Sequence, residues 1–413
     1  MKFVLFLAFS VSPYLSSACL RHQSVPDRDE SECYVRRGDP SPLGKTAIMN
    51  VRVFDGTCMS PPRTVIIDQE HISGCSDGVT NTIDAFEQFL IPGLIESHTH
   101  IFSIADLENM TSYGITTALN MACRNYTECA LLKGHLGLAE VLTAGVPAVG
   151  PNSSHSRMLD LTPGQLIYPT SDPVELVDWA FGNNSDYFKI TVETNGPSPE
   201  LQTRLVHATH ALGKQTMSHA ADLTSYLQVI ASRSNGIQHT PDDGNLSASA
   251  IRDIKHNGQF VTPTMAIFRL AFSNPAVIQF LSGSGGSKGN SSYSTVRANV
   301  AALHKAGVPI LVGTDSIGTI SANVSLPFGI TLHEELQNLV DIGMTPAEAI
   351  NAATKVPAKY HRLADRGIIA PGMRADLLLL KSNPLVNISN TLDIEAAWVG
   401  GRQVTNVTRV GIA

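Results

Sequence analysis

The stretch Phe89-Leu90-Ile91-Pro92-Gly93-Leu94-Ile95-Glu96-Ser97-His98-Thr99-His100 decides how the rest of the chain is read. Its apolar run predicts a buried strand, and that strand ends in two histidines. Residues two apart on a strand point to the same face, so His98 and His100 project side by side. Two imidazoles converging from one strand end make half of a divalent metal site. The other donors must come from matching strand ends elsewhere in the chain.

Working outward, the sequence alternates strands and helices. After the opening strand, β-type runs fall at 116–121, 146–149, 187–192, 215–219, 236–239, 260–264 and 308–314. Helical stretches such as 201–211 and 248–257 lie between them. Two more, 332–342 and 346–353, follow the eighth strand, with Leu332, Leu336, Leu339 and Val340 at helical spacing. Eight strands alternating with helices predict an α/β chain whose middle, 91–365, is a (β/α)8 TIM barrel. The flanks read differently. Short β runs at 46–54 and 64–68, and at 375–380 and 396–404, predict a small β-sandwich domain built from 44–90 plus 366–413. The Gly/Ser-rich segment 282–292 follows strand seven and reads equally as a mobile lid or a surface linker.

The net charge of −7 and pI near 6.0 offer no basic patch, which argues against nucleic acid as a partner. Residues 1–18 have signal-peptide order: Lys2, an apolar run over 3–9, then Ser16-Ser17-Ala18 for cleavage. The run is too short to span a bilayer, so no membrane attachment is expected once it is removed. Residues 19–43 form a polar N-terminal extension. Asn-X-Ser/Thr sequons begin at Asn109, Asn125, Asn152, Asn183, Asn245, Asn290, Asn323, Asn387 and Asn406, a density that fits a glycoprotein in the secretory lumen or outside the cell. Cys19, Cys33, Cys58, Cys75, Cys123 and Cys129 permit disulfides that would staple the N-terminal third, with connectivity open.

Barrel strands deliver functional residues from their C-terminal ends. Those ends carry His98 and His100 on strand one, Lys189 on strand four, His219 on strand five, His239 on strand six and Asp315 on strand eight. A lone histidine is usually structural. Four of 14 histidines at the strand ends of one barrel are not explained that way.

The segment 92–100 resembles the opening motif of the amidohydrolase superfamily. Gly114-Ile115-Thr116-Thr117, Met217-Ser218-His219-Ala220, Gly236-Ile237-Gln238-His239, Pro263-Thr264, Gly313-Thr314-Asp315 and Pro371-Gly372-Met373-Arg374-Ala375-Asp376-Leu377 continue the match in order. Asp186-Tyr187-Phe188-Lys189-Ile190 is similar to the carboxylated-lysine strand of the branch holding imidazolonepropionase-like hydrolases, prolidase-type carboxypeptidases and ochratoxinase. The resemblance implies two divalent metal ions, usually zinc. His98, His100 and Asp315 would hold the more buried ion, His219 and His239 the second, and Lys189, carboxylated on its amine, would bridge both. Metals about 3.5–4 Å apart can share a hydroxide that attacks a C–N (amide, peptide-like or cyclic amide) bond. Asp315 would also move the proton from water to the leaving amine. Glu96 stands where relatives commonly carry Asp and is not a ligand. His155, in the strand-three loop, is a candidate to touch substrate or an ordinary surface histidine.

Other readings compete. Gly74-Cys75-Ser76-Asp77-Gly78 fits a serine-hydrolase motif but lacks the following helix that the motif needs. Gly283 to Gly286 has the wrong spacing for a nucleotide loop. The same metal site could serve decarboxylation or isomerisation of a small metabolite, or a non-catalytic ligand-binding barrel. The expected partner is a small-molecule substrate, and a homo-oligomer is left open.

Overall fold

The computed structural model describes residues 33–36, 38–282 and 289–405. The leader 1–18, most of the polar extension, the centre of the Gly/Ser-rich segment and the Asn406 sequon lie outside the described residues.

The opening stretch is two strands, not one. Phe89–Pro92 belongs to an outer sheet and Leu94–Thr99 is the first barrel strand. The break falls at Pro92-Gly93, where proline has no N–H to continue a ladder. Gly93 also lets strands one and two close up: a Cβ there would lie 2.3 Å from the Thr116 Cγ2 methyl.

The outer sheet joins the two ends of the chain. Phe89–Pro92 pairs antiparallel with Leu377–Leu380 and parallel with Lys45–Val53, giving eight strands from both flanks. Ile48, Val51, Leu90, Leu377 and Trp398 form its separate core.

In the barrel, Leu94–Thr99, Ile115–Asn120 and Glu140–Thr143 pair in parallel. Phe188–Thr191, Thr216–His219, Gly236–Gln238 and Phe260–Thr262 form a second parallel run. Residues 310–314 close the ring: Leu311 N–H donates to Val261 O and Ser97 N–H to Val312 O, each at 2.9 Å. The third strand corrects the expectation. Glu140–Thr143 pairs with strand two, and 146–149 continues it past a turn at Gly145 (φ 64°). There Ala148 N–H donates to Lys189 O at 2.8 Å, docking the third stave onto the fourth. The bore is filled from below by Ile95, Leu119, Met217, Phe260 and Leu311, so the open end lies at the strand C-termini.

Disulfides do fall in the N-terminal third, as expected, and Cys33 is disulfide-bonded. Cys123–Cys129 is a disulfide in the loop after barrel strand two, while Cys58 and Cys75 are free and exposed. Gly74 to Gly78 is an exposed loop between short strands, His71–Ser73 and Asn81–Asp84, so Ser76 has no helix to sit on. No helix among the described residues is long and apolar enough to cross a membrane.

Candidate metal centre

His98 leaves strand one fully buried. His100 follows just past the strand end, and both Nε2 atoms converge on Asp315 Oδ1, at 3.3 and 3.0 Å. The donor atoms of His98, His100 and Asp315 all lie within 4.8 Å of one another. His219 and His239 fall outside that group of three. They stand side by side at the ends of the adjacent strands five and six with ring centroids 4.4 Å apart, and the His239 ring is 4.8 Å from that of His98. Lys189 lines the same cavity from strand four and is buried among these groups.

Charge follows burial. Burial, helped by the nearby Lys189 amine, pushes the His98 ring down to about 4. His219 and His239 are held well below the usual imidazole range, mainly by burial and partly by their charged and imidazole neighbours. All three are therefore neutral bases at pH 7, the form that binds metals. Burial also opposes ionisation of Asp315, but the His98 and His100 rings outweigh it and hold the carboxyl well below its normal range. Burial lowers the Lys189 amine to about 7, against the pull of Asp315.

These side chains are oriented from behind. His98 Nδ1 pairs with Gln238 Oε1 at 2.8 Å, which leaves Nε2 aimed at the site. That Nε2 is buried, and its neighbour in the site is Asp315 Oδ1 at 3.3 Å. His239 Nδ1 is held the same way by Thr264 Oγ1 at 2.8 Å. Second partners of this kind are what fix tautomer and direction in metal-binding histidines. Glu335 in turn accepts the Met265 and Ala266 N–H groups, both at 2.8 Å, and so pins the turn after Thr264. His239, Thr264 and Asp315 all sit at positive φ (74°, 49° and 62°). Such backbone costs about 1–3 kcal/mol per residue and persists where surrounding contacts dictate it.

Glu96 is no ligand, yet it is part of the frame. Its Oε1 accepts the N–H groups of His98 (3.1 Å) and Thr314 (2.9 Å), and Oε2 accepts the Thr314 hydroxyl (2.9 Å). It ties strand one to strand eight directly behind His98 and Asp315. Gly313 permits that approach, since a Cβ there would lie 2.9 Å from the His98 backbone nitrogen.

His155 is in the cavity, not on the surface. Its Nδ1 and its backbone N–H both reach Glu193 Oε1 at 3.0 Å, and its ring packs 4.4 Å from that of His219. Sequence reasoning missed Gln238, Thr264, Glu193 and Glu335. Gln238 and Thr264 lay inside quoted motifs, and their partners were not readable.

The Amidohydrolase family profile matches residues 89–404. The chain belongs to the amidohydrolase family. This amidohydrolase is 25% identical over 390 residues to the imidazolonepropionase of Geobacillus kaustophilus, covering 80% of this chain and 84% of that one. An imidazolonepropionase of Rhodococcus jostii is 39% identical over 103 residues, so the chain matches only 24% of that relative's length. A Xaa-Pro dipeptidase solved with methionine in its active site has the same fold, with a TM-score of 0.74 at 21% identity, covering 87% of this chain and 99% of that one. The family is metal-dependent, and the donor set fits: neutral imidazoles and an anionic carboxylate, with His98, His100 and Asp315 donor atoms converging within 4.8 Å, are what a divalent ion requires.

Proposed function

We propose that this amidohydrolase is an exported, binuclear-metal hydrolase of amide, peptide-like or cyclic amide bonds. One observation carries the reading: His98, His100, Lys189, His219, His239 and Asp315 come from five strand ends and line a single cavity of about 600 Å³.

His98, His100 and Asp315 would hold one ion and His219 and His239 the other. Lys189 stands among all of them. Burial that lowers the amine to about 7 favours its neutral form, and the neutral amine is the form that adds carbon dioxide. The resulting carbamate would supply a bridging anion where an ammonium would repel both ions. When bound, the ions lower the pKa of water and polarise a carbonyl. The chain's own groups do the rest. Asp315, anionic and beside His98 and His100, takes the proton from water and returns it to the leaving amine. Glu193 fixes the ring of His155 beside His219, where it meets the substrate.

The test is metal analysis of the purified protein followed by a panel of N-acyl amino acids, dipeptides and cyclic amides. Two equivalents of metal, with chelator-sensitive turnover on part of the panel, are expected. Metal-loaded protein inert on every C–N substrate would overturn the reading.

A further inference from the structure

The cavity above the ligand cluster has two unlike walls. The segments after strands seven, eight and one supply apolar groups. Ile267, Phe272, Ile278 and Leu281 come from the helices Met265–Ser273 and Pro275–Ser282, and Ile317 and Ile320 from the hairpin region after Asp315. Phe272, Ile278, Leu281 and Ile320 are only half-buried, so they leave apolar surface open to the cavity. Contiguous open apolar surface of this kind marks a binding site.

The opposite wall mixes apolar groups such as Leu132, Met158 and Leu159 with a set of acids. The segments after strands two to six bring Glu128, Asp160, Glu193, Asp222 and Asp242 to the lining. Among the described lining residues the cations outside the histidines are Lys189 and Arg124. Arg124 is already paired with Glu128, Nη2 to Oε1 at 3.2 Å. A substrate carboxylate on this side would meet four further acids and a guanidinium already taken.

We propose that the cavity selects amides with one bulky apolar arm and no free carboxylate on the other. The proposal rests on the amide-hydrolase reading and names its substrate class. The apolar arm lies along the two helices and the hairpin region, with the amide over the ligand cluster. The uncharged arm faces the acids.

The experiment uses zinc-loaded protein and two matched series: N-acyl glycinamides with acyl chains of two, six and ten carbons, and acetamides of the corresponding alkylamines. In one series kcat/KM should rise about fourfold per added methylene over the first few, the expected gain for burying each one. The free-acid N-acyl glycines should be at least about tenfold poorer than their glycinamides, since burying an unpaired charge is costly. In Phe272→Gln/Leu281→Gln the ratio between ten-carbon and two-carbon substrates should collapse about tenfold or more. Turnover independent of chain length, or a preference for the free acids, overturns this proposal and leaves the hydrolase reading standing. If no amide is cleaved, calorimetry with methyl ketones of the same chain lengths, which have no C–N bond to break, decides it. Affinity rising with length supports the apolar wall, and equal affinity overturns it.

Discussion

Gln238→Leu tests whether the centre is held from behind. Gln238 Oε1 takes the His98 Nδ1 hydrogen bond at 2.8 Å, and both side chains are fully buried, so water has no route to replace it. Leucine fills similar space without an acceptor. An orphaned ring N–H then costs about 1–3 kcal/mol of folding stability. The ring also loses its fixed tautomer, and loss of such a partner lowers metal affinity about 10–100-fold, or about 1.4–2.7 kcal/mol. Gln238→Glu restores an acceptor and should recover most of the affinity. Competition against a chromophoric zinc chelator reads the second quantity, and urea melts of metal-free protein read the first. A Gln238→Leu protein that binds zinc as tightly as the parent would refute the idea that this hydrogen bond orients His98.

Lys189→Ala should lose metal and activity together, with partial rescue by acetate or propionate, while Lys189→Arg stays dead because it puts a permanent cation in the gap. Full activity of Lys189→Ala in carboxylate-free buffer would exclude a bridging role. Burial pushes Glu335 up from 4.5 to about 7. A carboxyl raised in the fold contributes its stability below its unfolded value and loses it as pH rises through the folded one, so this contribution declines between pH 4.5 and 7, by up to about 3 kcal/mol. In EDTA, Glu335→Gln should show a correspondingly flatter stability profile over that range, and parallel profiles would rule the shift out. On the proposed export, the mature protein should begin near Cys19 and shrink on glycosidase treatment, with glycans among the exposed Asn125, Asn152, Asn183, Asn245, Asn290, Asn323 and Asn387. Asn109 should stay bare, because it is half-buried inside the helix Ile104–Ser112 and its sequon Thr111 is fully buried. Peptide mapping that finds a glycan on Asn109 contradicts that packing.

The residues of the candidate centre were legible because strand periodicity is local. His98 and His100 share a face by counting, and Gly313-Thr314-Asp315 announces its strand end by a glycine that lets backbone touch backbone. What was not legible depends on distance in sequence. His98 and Gln238 are 140 residues apart, and their hydrogen bond exists because strands one and six face each other across a filled bore. Glu96 read as a bland departure, since nothing local shows that its two oxygens reach Thr314. The third strand was misplaced because Gly145 divides it, and the second half looks more strand-like than Glu140–Thr143. The Cys123–Cys129 pair has no spacing signature, so its closure within the cavity wall emerged only from the fold.

The outer sheet has a consequence for biosynthesis. Pro92 pairs with Leu377, at the far end of the polypeptide. At about 5–20 residues per second, roughly 15–60 s of translation separates the two strands. Throughout that interval one edge of Phe89–Pro92 has no neighbour, while the ligand-bearing strand two residues further on is already being laid down. A ribosome that terminates after Tyr360 but before Leu377 therefore releases a chain with a near-complete barrel and an open, sticky seam. Termination in that window would yield aggregates or degradation products, not a smaller working enzyme.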